Sequence, residues 1–404
     1  MDTPHKVLVC ASVASHLENF HLPYLEWFQK SGWTVHTASK GILATEFADR
    51  QFEIPFEKRM LSYKNVTAMR MLRQLLQRER YDLVCVHTNL AAALCRLAFW
   101  GRGCKNTRLV SVSHGYFFQS GRNGAVKRGL KNRAYLWIER ALSGRTDLLF
   151  TMNRADWESA KRYRLGKQVS FLDGMGLCTG KYPAYGKKQA GQLRRQWGAG
   201  GQDKVFLCVG EFSGRKDQMT VLQAFCSLAK REKGARLVFA GTGALEGQCR
   251  SYAQAQGLEG RVFFAGQVEE IGAYYSAADI LVTASRSEGL PFNLLEGLYY
   301  HLPVIASRVK GHMDLIADGE NGLLFDAGDP DGLCRCMRQA VSVPGLLGGL
   351  RQGAYLESRY AIGQVRGRFF SQLNQAFGFS FAKPGHLEAA GEYSVCPNEF
   401  AGCG

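Results

Sequence analysis

Two glutamates, Glu288 and Glu296, bracket a stretch whose residue types suit a sugar attached to a phosphate. The run from Ser285 to Ala306 reads as a strand end, a glycine-containing loop, a helix and the next strand. Pro291 stands at a suitable first helical position, where its missing N–H costs nothing. The helix should run through Glu296 to about Tyr300, and Pro303 should open the following strand. Backbone N–H groups of Leu290 to Asn293 would then open the helix and face an anion. Glu288 in the loop and Glu296 one to two turns into the helix could accept hydrogen bonds from sugar hydroxyls. As arbitrary acids they would be a loop residue and a surface residue. Leu294, Leu295, Leu298 and the strand Pro303–Ile305 instead predict a mostly buried helix, and a buried Glu needs a partner.

The elements that must position these residues repeat through the chain. Short apolar runs at Lys6–Ser12, Thr34–Ser39, Leu83–Thr88, Leu109–His114, Leu148–Asn153 and Val169–Gly174 alternate with amphipathic segments. A second set follows at Val205–Gly210, Arg236–Gly241, Arg261–Gly266, Ile280–Ser285, Pro303–Ser307 and Gly322–Asp326. Continuous apolar runs of this length are how buried parallel strands look. Each half therefore predicts a doubly wound α/β sheet. The expected divisions are residues 1–178, a polar, glycine-rich hinge at 179–202, a second domain at 203–358 and a helix at 359–378 that can cross back to the first domain. Residues 379–404 lack periodicity and are expected to be a poorly ordered tail, Cys396 and Cys403 included. A cleft between two such sheets is the default ligand site.

The chain has 404 residues and a formal net charge of +16, which predicts an anionic partner. Eighteen Lys and Arg against three acids lie between Lys58 and Arg145, so nearly the whole excess sits there. A solvated basic face or a surface for anionic lipid or a phosphate-bearing acceptor would both account for it. Lys127–Arg140 carries Lys127, Arg128, Lys131, Arg133 and Arg140 interleaved with Leu130, Tyr135, Leu136, Trp137 and Ile138. This suits either a membrane-surface helix or a helix packing Leu136 and Trp137 inward. Twelve cysteines include no CxxC pair; Cys10, Cys85 and Cys208 sit in apolar runs, and Cys334 and Cys336 are too close for usual zinc spacing. A reducing cytoplasm and no structural metal are expected. No secretory signal opens the chain, and the apolar stretch Leu90–Trp100 is far short of the ~20 residues that span a bilayer.

At this point the segment from Glu288 to Glu296 resembles the E-x7-E signature of retaining GT-B glycosyltransferases of family 4. Val209 to Lys216 resembles the strand and loop that carry a diphosphate-binding Lys, and Phe239 to Gly243 resembles the family's G-x-G turn. Val262 to Val268 resembles the loop whose backbone holds the nucleobase; Ala278–Ile280 and the segment from Glu320 through Gly322 resemble later landmarks. In the first half, the runs from Val7 through His16 and His21, Pro55 to Arg59 and the segment starting Ser113, His114, Gly115 resemble the branch that assembles bacterial capsule and exopolysaccharide. Two positions depart from the pattern: Glu211 stands where many members have Arg, and Cys178 where Asp is common. Arg215 beside Lys216 can supply the missing cation.

The resemblance implies an α/β GT-B fold, two Rossmann-like domains with parallel sheets facing a central cleft. It implies a hexosyltransferase that moves a sugar from a nucleotide diphospho-sugar, UDP-sugar by expectation, with retention, to a glycan or prenyl-diphosphate-linked acceptor. Glu288, Lys216 and His114 take catalytic places. Glu296, Arg215, Gly210, Gly266, Val268, Gly289, Leu290 and Asn293 bind the donor: Gly266 to Val268 the base, Glu296 the ribose, Lys216 and Arg215 the diphosphate. His16, His21 and Arg59 are acceptor candidates on the first domain. A lone loop histidine is as often structural as functional. No metal or other cofactor is expected, since fixed cations and a helix N-terminus can stabilise the leaving group. The expected place is the cytoplasm, peripheral on the inner leaflet, with anionic lipid as a partner. Rival readings are an epimerase on the same scaffold, a Rossmann oxidoreductase and a basic nucleic-acid binder. Cys10 to Asn19 contains no glycine, which removes the dinucleotide fingerprint; Gly241 to Gly247 has its third glycine one place late. No zinc spacing, RNP-like aromatic run or basic-region helix supports nucleic acid.

Overall fold

The computed structural model describes residues 4–59, 62–99, 106–116 and 126–382, the side chains of 126–128, 130 and 131 excepted. It divides into two compact units, residues 1–119 with 124–176 and 361–404, and residues 177–360 with 120–123.

The first unit holds a seven-stranded parallel sheet: β1 (Lys6–Cys10), β2 (Thr34–Ser39), β3 (Arg50–Glu53), β4 (Leu83–Val86), β5 (Arg108–Ser113), β6 (Leu148–Thr151) and β7 (Gln168–Phe171), in the order β3-β2-β1-β4-β5-β6-β7. β1 and β4 are buried almost throughout, as their Val- and Leu-rich runs require. β3 escapes the sequence reading because only Phe52 among Arg50, Gln51, Phe52 and Glu53 is apolar. It is an edge strand, where charge is tolerated and blunts further pairing.

The helix Ile362–Phe377 is counted in this first unit. Phe370 packs on Phe28 and Trp27 at ring separations of 4.8 and 5.8 Å, and Phe369 on Phe150 at 5.0 Å. The Arg366 guanidinium lies 4.2 Å from the Trp27 ring centre. Residues 379–382, expected as the start of a loose tail, are held: Phe379 and Phe381 pack on Trp33, and Ser31 Oγ accepts from the Ala382 N–H at 2.9 Å. The alternating aromatics find an apolar partner, which composition alone did not reveal. The rest of the tail, with Cys396 and Cys403, lies outside the described residues.

The second unit holds a six-stranded parallel sheet: β8 (Lys204–Val209), β9 (Ala235–Ala240), β10 (Val262–Phe264), β11 (Ile280–Thr283), β12 (Val304–Ser307) and β13 (Gly322–Phe325), in the order β10-β9-β8-β11-β12-β13. Residues 179–202, expected as a hinge, carry the helix Lys187–Gln196. Arg194 anchors it to Asp279 at 2.8 Å and to the Asp203 carbonyl at 2.6 Å, so this stretch is fixed to the second unit. In both sheets the chain runs outward, then returns to the middle between β1 and β4 and between β8 and β11. Ligands of doubly wound folds bind beyond the strand ends at that reversal.

Candidate functional site

At the reversal in the second unit, two loops meet. The loop after β8 carries Arg215 and Lys216, and the loop after β11 carries Glu288. Gln218 holds the first loop by donating to the carbonyls of Gly210 at 3.2 Å and Glu211 at 2.7 Å. Gly241 and Gly243 let neighbouring backbone come in closely. Both have positive φ, and a methyl at either would stand 2.3 Å from the Gly210 carbonyl oxygen or 2.5 Å from that of Phe212. The second loop is clipped to the first: the Arg286 N–H donates to the Arg215 carbonyl at 2.8 Å, and the Arg286 side chain to Asp217 at 2.8 Å.

This brings Glu288 between two cations. Arg215 Nη1 donates to its Oε2 at 2.8 Å, and Lys216 Nζ lies 2.9 Å from its Oε1. Burial alone would raise the Glu288 carboxyl, but Lys216, Arg215 and His312 more than offset it and hold it down to about 2. Glu288 is therefore an ionised acceptor at neutral pH, not an acid. Arg215 is 43% exposed at its side chain and Lys216 14%, so the more open cation is Arg215. His312, fully buried, accepts or donates at Nδ1 with Ser307 while its Nε2 is without a partner. Burial lowers it to about 4, so it is neutral here.

The helix Phe292–Tyr299 begins one residue later than expected: Pro291 is its cap, with extended backbone, and the Leu294 N–H reaches the Pro291 carbonyl at 3.3 Å. Asn293, expected on the donor, donates to the Val209 carbonyl at 3.1 Å and pins the helix to the end of β8. Glu296 is 2% exposed. Its two oxygens accept from Tyr182 at 2.8 Å and Tyr275 at 2.5 Å. Gly210 and Gly266 both have positive φ, and the Gly266 carbonyl accepts from the Gly241 N–H at 2.7 Å. Val268 and Gln267 line an open groove of about 450 Å³ with Gln189, Gln192, Glu270 and Tyr274. Gly289 sits in the Glu288 loop, and Leu290 just before the cap, both partly buried.

In the first unit the corresponding reversal is occupied by histidines. His16 lies in the helix Ala14–Phe20 after β1, His21 directly follows that helix, His87 ends β4 and His114 ends β5. His16 and His114 face each other at 3.2 Å between Nε2 atoms. The His21 ring lies 3.7 Å from the His87 ring and 5.9 Å from that of His114. Burial lowers all four imidazoles, His16 to about 4, and the neighbouring rings add to it for His21, His87 and His114. Thr88, next to His87, has φ +141°, which is strained for a β-branched residue and typical of functional turns. Arg59, by contrast, is exposed on the segment after the edge strand β3, where its carbonyl accepts from Asn65 at 2.9 Å.

Of the residues singled out in the sequence, the structure thus brings Arg215, Lys216 and Glu288 together in the second unit, and His16, His21 and His114 together in the first. It missed His312, His87, Gln218 and the two tyrosines on Glu296. His87 had a usable signal, because it ends an apolar strand run just as His114 does. His312, Gln218 and Tyr275 lie in helices and Tyr182 just after a short helical turn, and only the folded path of the chain brings them to the glutamates. Cys178 is disulfide-bonded, against the expectation of thiols throughout.

Two doubly wound sheets, with paired cations and a carboxylate at one reversal, define a class of two-unit α/β folds. Comparison with known proteins makes this specific. Residues 190–355 match the model of glycosyl transferases group 1, and residues 23–167 that of the glycosyl transferase 4-like domain. The chain is 33% identical over 342 residues to glycosyltransferase EpsD of Bacillus subtilis (strain 168), covering 84% of this chain and 88% of that one. It is 26% identical to the Escherichia coli UDP-Gal:alpha-D-GlcNAc-diphosphoundecaprenol alpha-1,3-galactosyltransferase, over 71% of this chain and 74% of that one. In fold it is similar to Anabaena Alr3699/HepE, solved with UDP and glucose, at a TM-score of 0.73, 16% identity and coverage of 92% and 100%. The chain belongs to the group 1, or GT4-like, glycosyltransferase family, with a GT-B fold.

Proposed function

We propose that this transferase moves a hexose-type sugar from a UDP-sugar to a prenyl-diphosphate-linked glycan, with retention, in capsule or exopolysaccharide synthesis at the inner face of the membrane. The observation that carries the reading is the Arg215–Glu288–Lys216 constellation at the reversal of the second sheet. A donor's diphosphate would draw Arg215, the more open cation, and share Lys216. Both then offset the negative charge that grows on the departing nucleotide. Glu288, kept ionised by the same cations, would accept from hydroxyls of the transferred sugar and fix its orientation. Glu296 supports the nucleotide end, with Tyr182 and Tyr275 ordering its carboxylate. The loop at Gly266 to Val268 offers backbone groups for the base. No step of this transfer is assigned to a metal ion.

The names of the relatives support the donor and acceptor classes: one uses UDP-Gal with a diphosphoundecaprenol-linked acceptor, and one is a fold relative solved with UDP and glucose. Acceptor recognition is assigned to the first unit, with His114 at its reversal and His16 and His21 behind it. The basic helix Val126–Leu142 presents Trp137, 71% exposed, while Leu136 packs inward. That arrangement suits docking on anionic lipid, with the cations around it. The side chains of Lys127, Arg128 and Lys131 lie outside the described residues. Among the described residues no helix is long and apolar enough to cross a membrane, so docking would be peripheral. The test is release of UDP or GDP from a panel of nucleotide sugars, with and without prenyl-diphosphate-linked sugars. Release that depends on a UDP-sugar and on the lipid-linked acceptor supports the reading, and donor conversion without acceptor contradicts it.

A further inference from the structure

The cluster of His16, His21, His87 and His114 in the first unit has a geometry that acceptor recognition alone does not require. The ligand nitrogens of His16, His21 and His114 all lie within 4.8 Å of one another. The 3.2 Å between the Nε2 atoms of His16 and His114 is the separation two imidazoles keep on one tetrahedral ion, about 3.3 Å for bonds of about 2.0–2.1 Å. His21 is fully buried, and neither of its ring nitrogens has a hydrogen-bond partner. A buried polar atom left without a partner costs about 1–3 kcal/mol, so this ring lacks a ligand that the folded chain does not supply. The three residues come from the helix after β1, its end, and the end of β5, two strands of one sheet with β4 between them. His114 is partly exposed and gives an ion a way in.

We propose that His16, His21 and His114 form a binding site for a divalent transition-metal ion of the zinc class, with one coordination position left open. Three imidazoles favour zinc, cobalt, nickel or copper over magnesium and calcium, which prefer oxygen ligands. His87, its ring tilted 42° against that of His21 at 3.7 Å, limits how that ring turns and so selects which nitrogen faces the ion. The inference rests partly on the reading above in one respect: an ion that takes the His114 nitrogen removes it from the acceptor, so occupancy would slow transfer.

The binding itself is tested without activity. Cobalt(II) is titrated into the purified full chain and followed by visible absorption. One equivalent should give tetrahedral ligand-field bands, displaced by zinc. His16→Ala and His21→Ala should each lose that equivalent while melting at the wild-type temperature. Should either variant fail to fold, wild-type protein labelled with ¹⁵N-histidine decides: cobalt should broaden the imidazole signals of His16, His21 and His114 and spare His5 and His301. Thiolate charge-transfer bands, an equivalent retained in both folded variants, or broadening confined to His5 and His301 would overturn the site. Metal-free protein that transfers no sugar, yet takes up one cobalt on these histidines, leaves this site standing and counts against the transfer reading alone.

Discussion

Glu288 stands at the centre of the account because its neighbours fix its protonation. Its carboxyl lies far below the ordinary value, at about 2, despite burial that pushes the other way. The group is thus ionised across the working range, and the pH profile of transfer above about pH 4 should show no acid limb from it. An acid limb near neutrality that vanished in Glu288→Gln would contradict this. The same shift has a stability consequence. A depressed carboxyl contributes stability that is present above its unfolded value, near 4.3, and lost as pH falls towards 2. Urea melts of the second unit should show that loss in wild type and a smaller one in Glu288→Gln. Lys216→Ala should weaken UDP binding roughly 10- to 100-fold, the worth of a charge-assisted hydrogen bond of about 1.5–3 kcal/mol. Isothermal titration measures it. Glu288 and Lys216 could be singled out in the sequence because the segments that carry them resemble family motifs. His312 was not, because only the folded path of the loop after β12 brings it to Glu288.

At the scale of elements, the loops at the strand ends are held by backbone packed on backbone. Gly243→Ala would place a methyl 2.5 Å from the Phe212 carbonyl oxygen at φ +156°. A cost of about 2–4 kcal/mol is expected from the clash and the backbone strain together. Thermal melting should fall, and UDP affinity should fall with it, because the displaced loop carries Arg215 and Lys216. Twelve of the strands were readable as apolar runs because both faces of each sheet are covered. β3 was not, since an edge strand needs only one apolar contact and Phe52 provides it. Buried ion pairs were equally invisible. Arg96, in the most apolar helix of the first unit, meets Glu139 at 2.6 Å and Ser111 at 3.2 Å. Glu139→Ala would strand a buried guanidinium and should cost about 3–5 kcal/mol, read by urea denaturation.

At the scale of the whole molecule, the last helix is part of the first unit although 184 residues, 177–360, intervene. Its Phe369 and Phe370 fill a pocket of Tyr24, Trp27, Phe28 and Phe150. The sequence showed a helix there, but only long-range packing determines where it docks. The net charge of +16 was legible at once, and its concentration between Lys58 and Arg145 is what the lipid-docking proposal uses. Sedimentation with anionic vesicles should bring the protein down at low salt, and salt should release it.

The central claim is that Glu288, held ionised between Arg215 and Lys216, orients the transferred sugar. The most direct measurement is acceptor-dependent release of UDP by wild type and by Glu288→Gln, with both proteins melting at the same temperature. A fall in kcat of about 100-fold or more is predicted, the loss that follows removal of one preorganised electrostatic group. Transfer at near wild-type rate by Glu288→Gln would contradict the account.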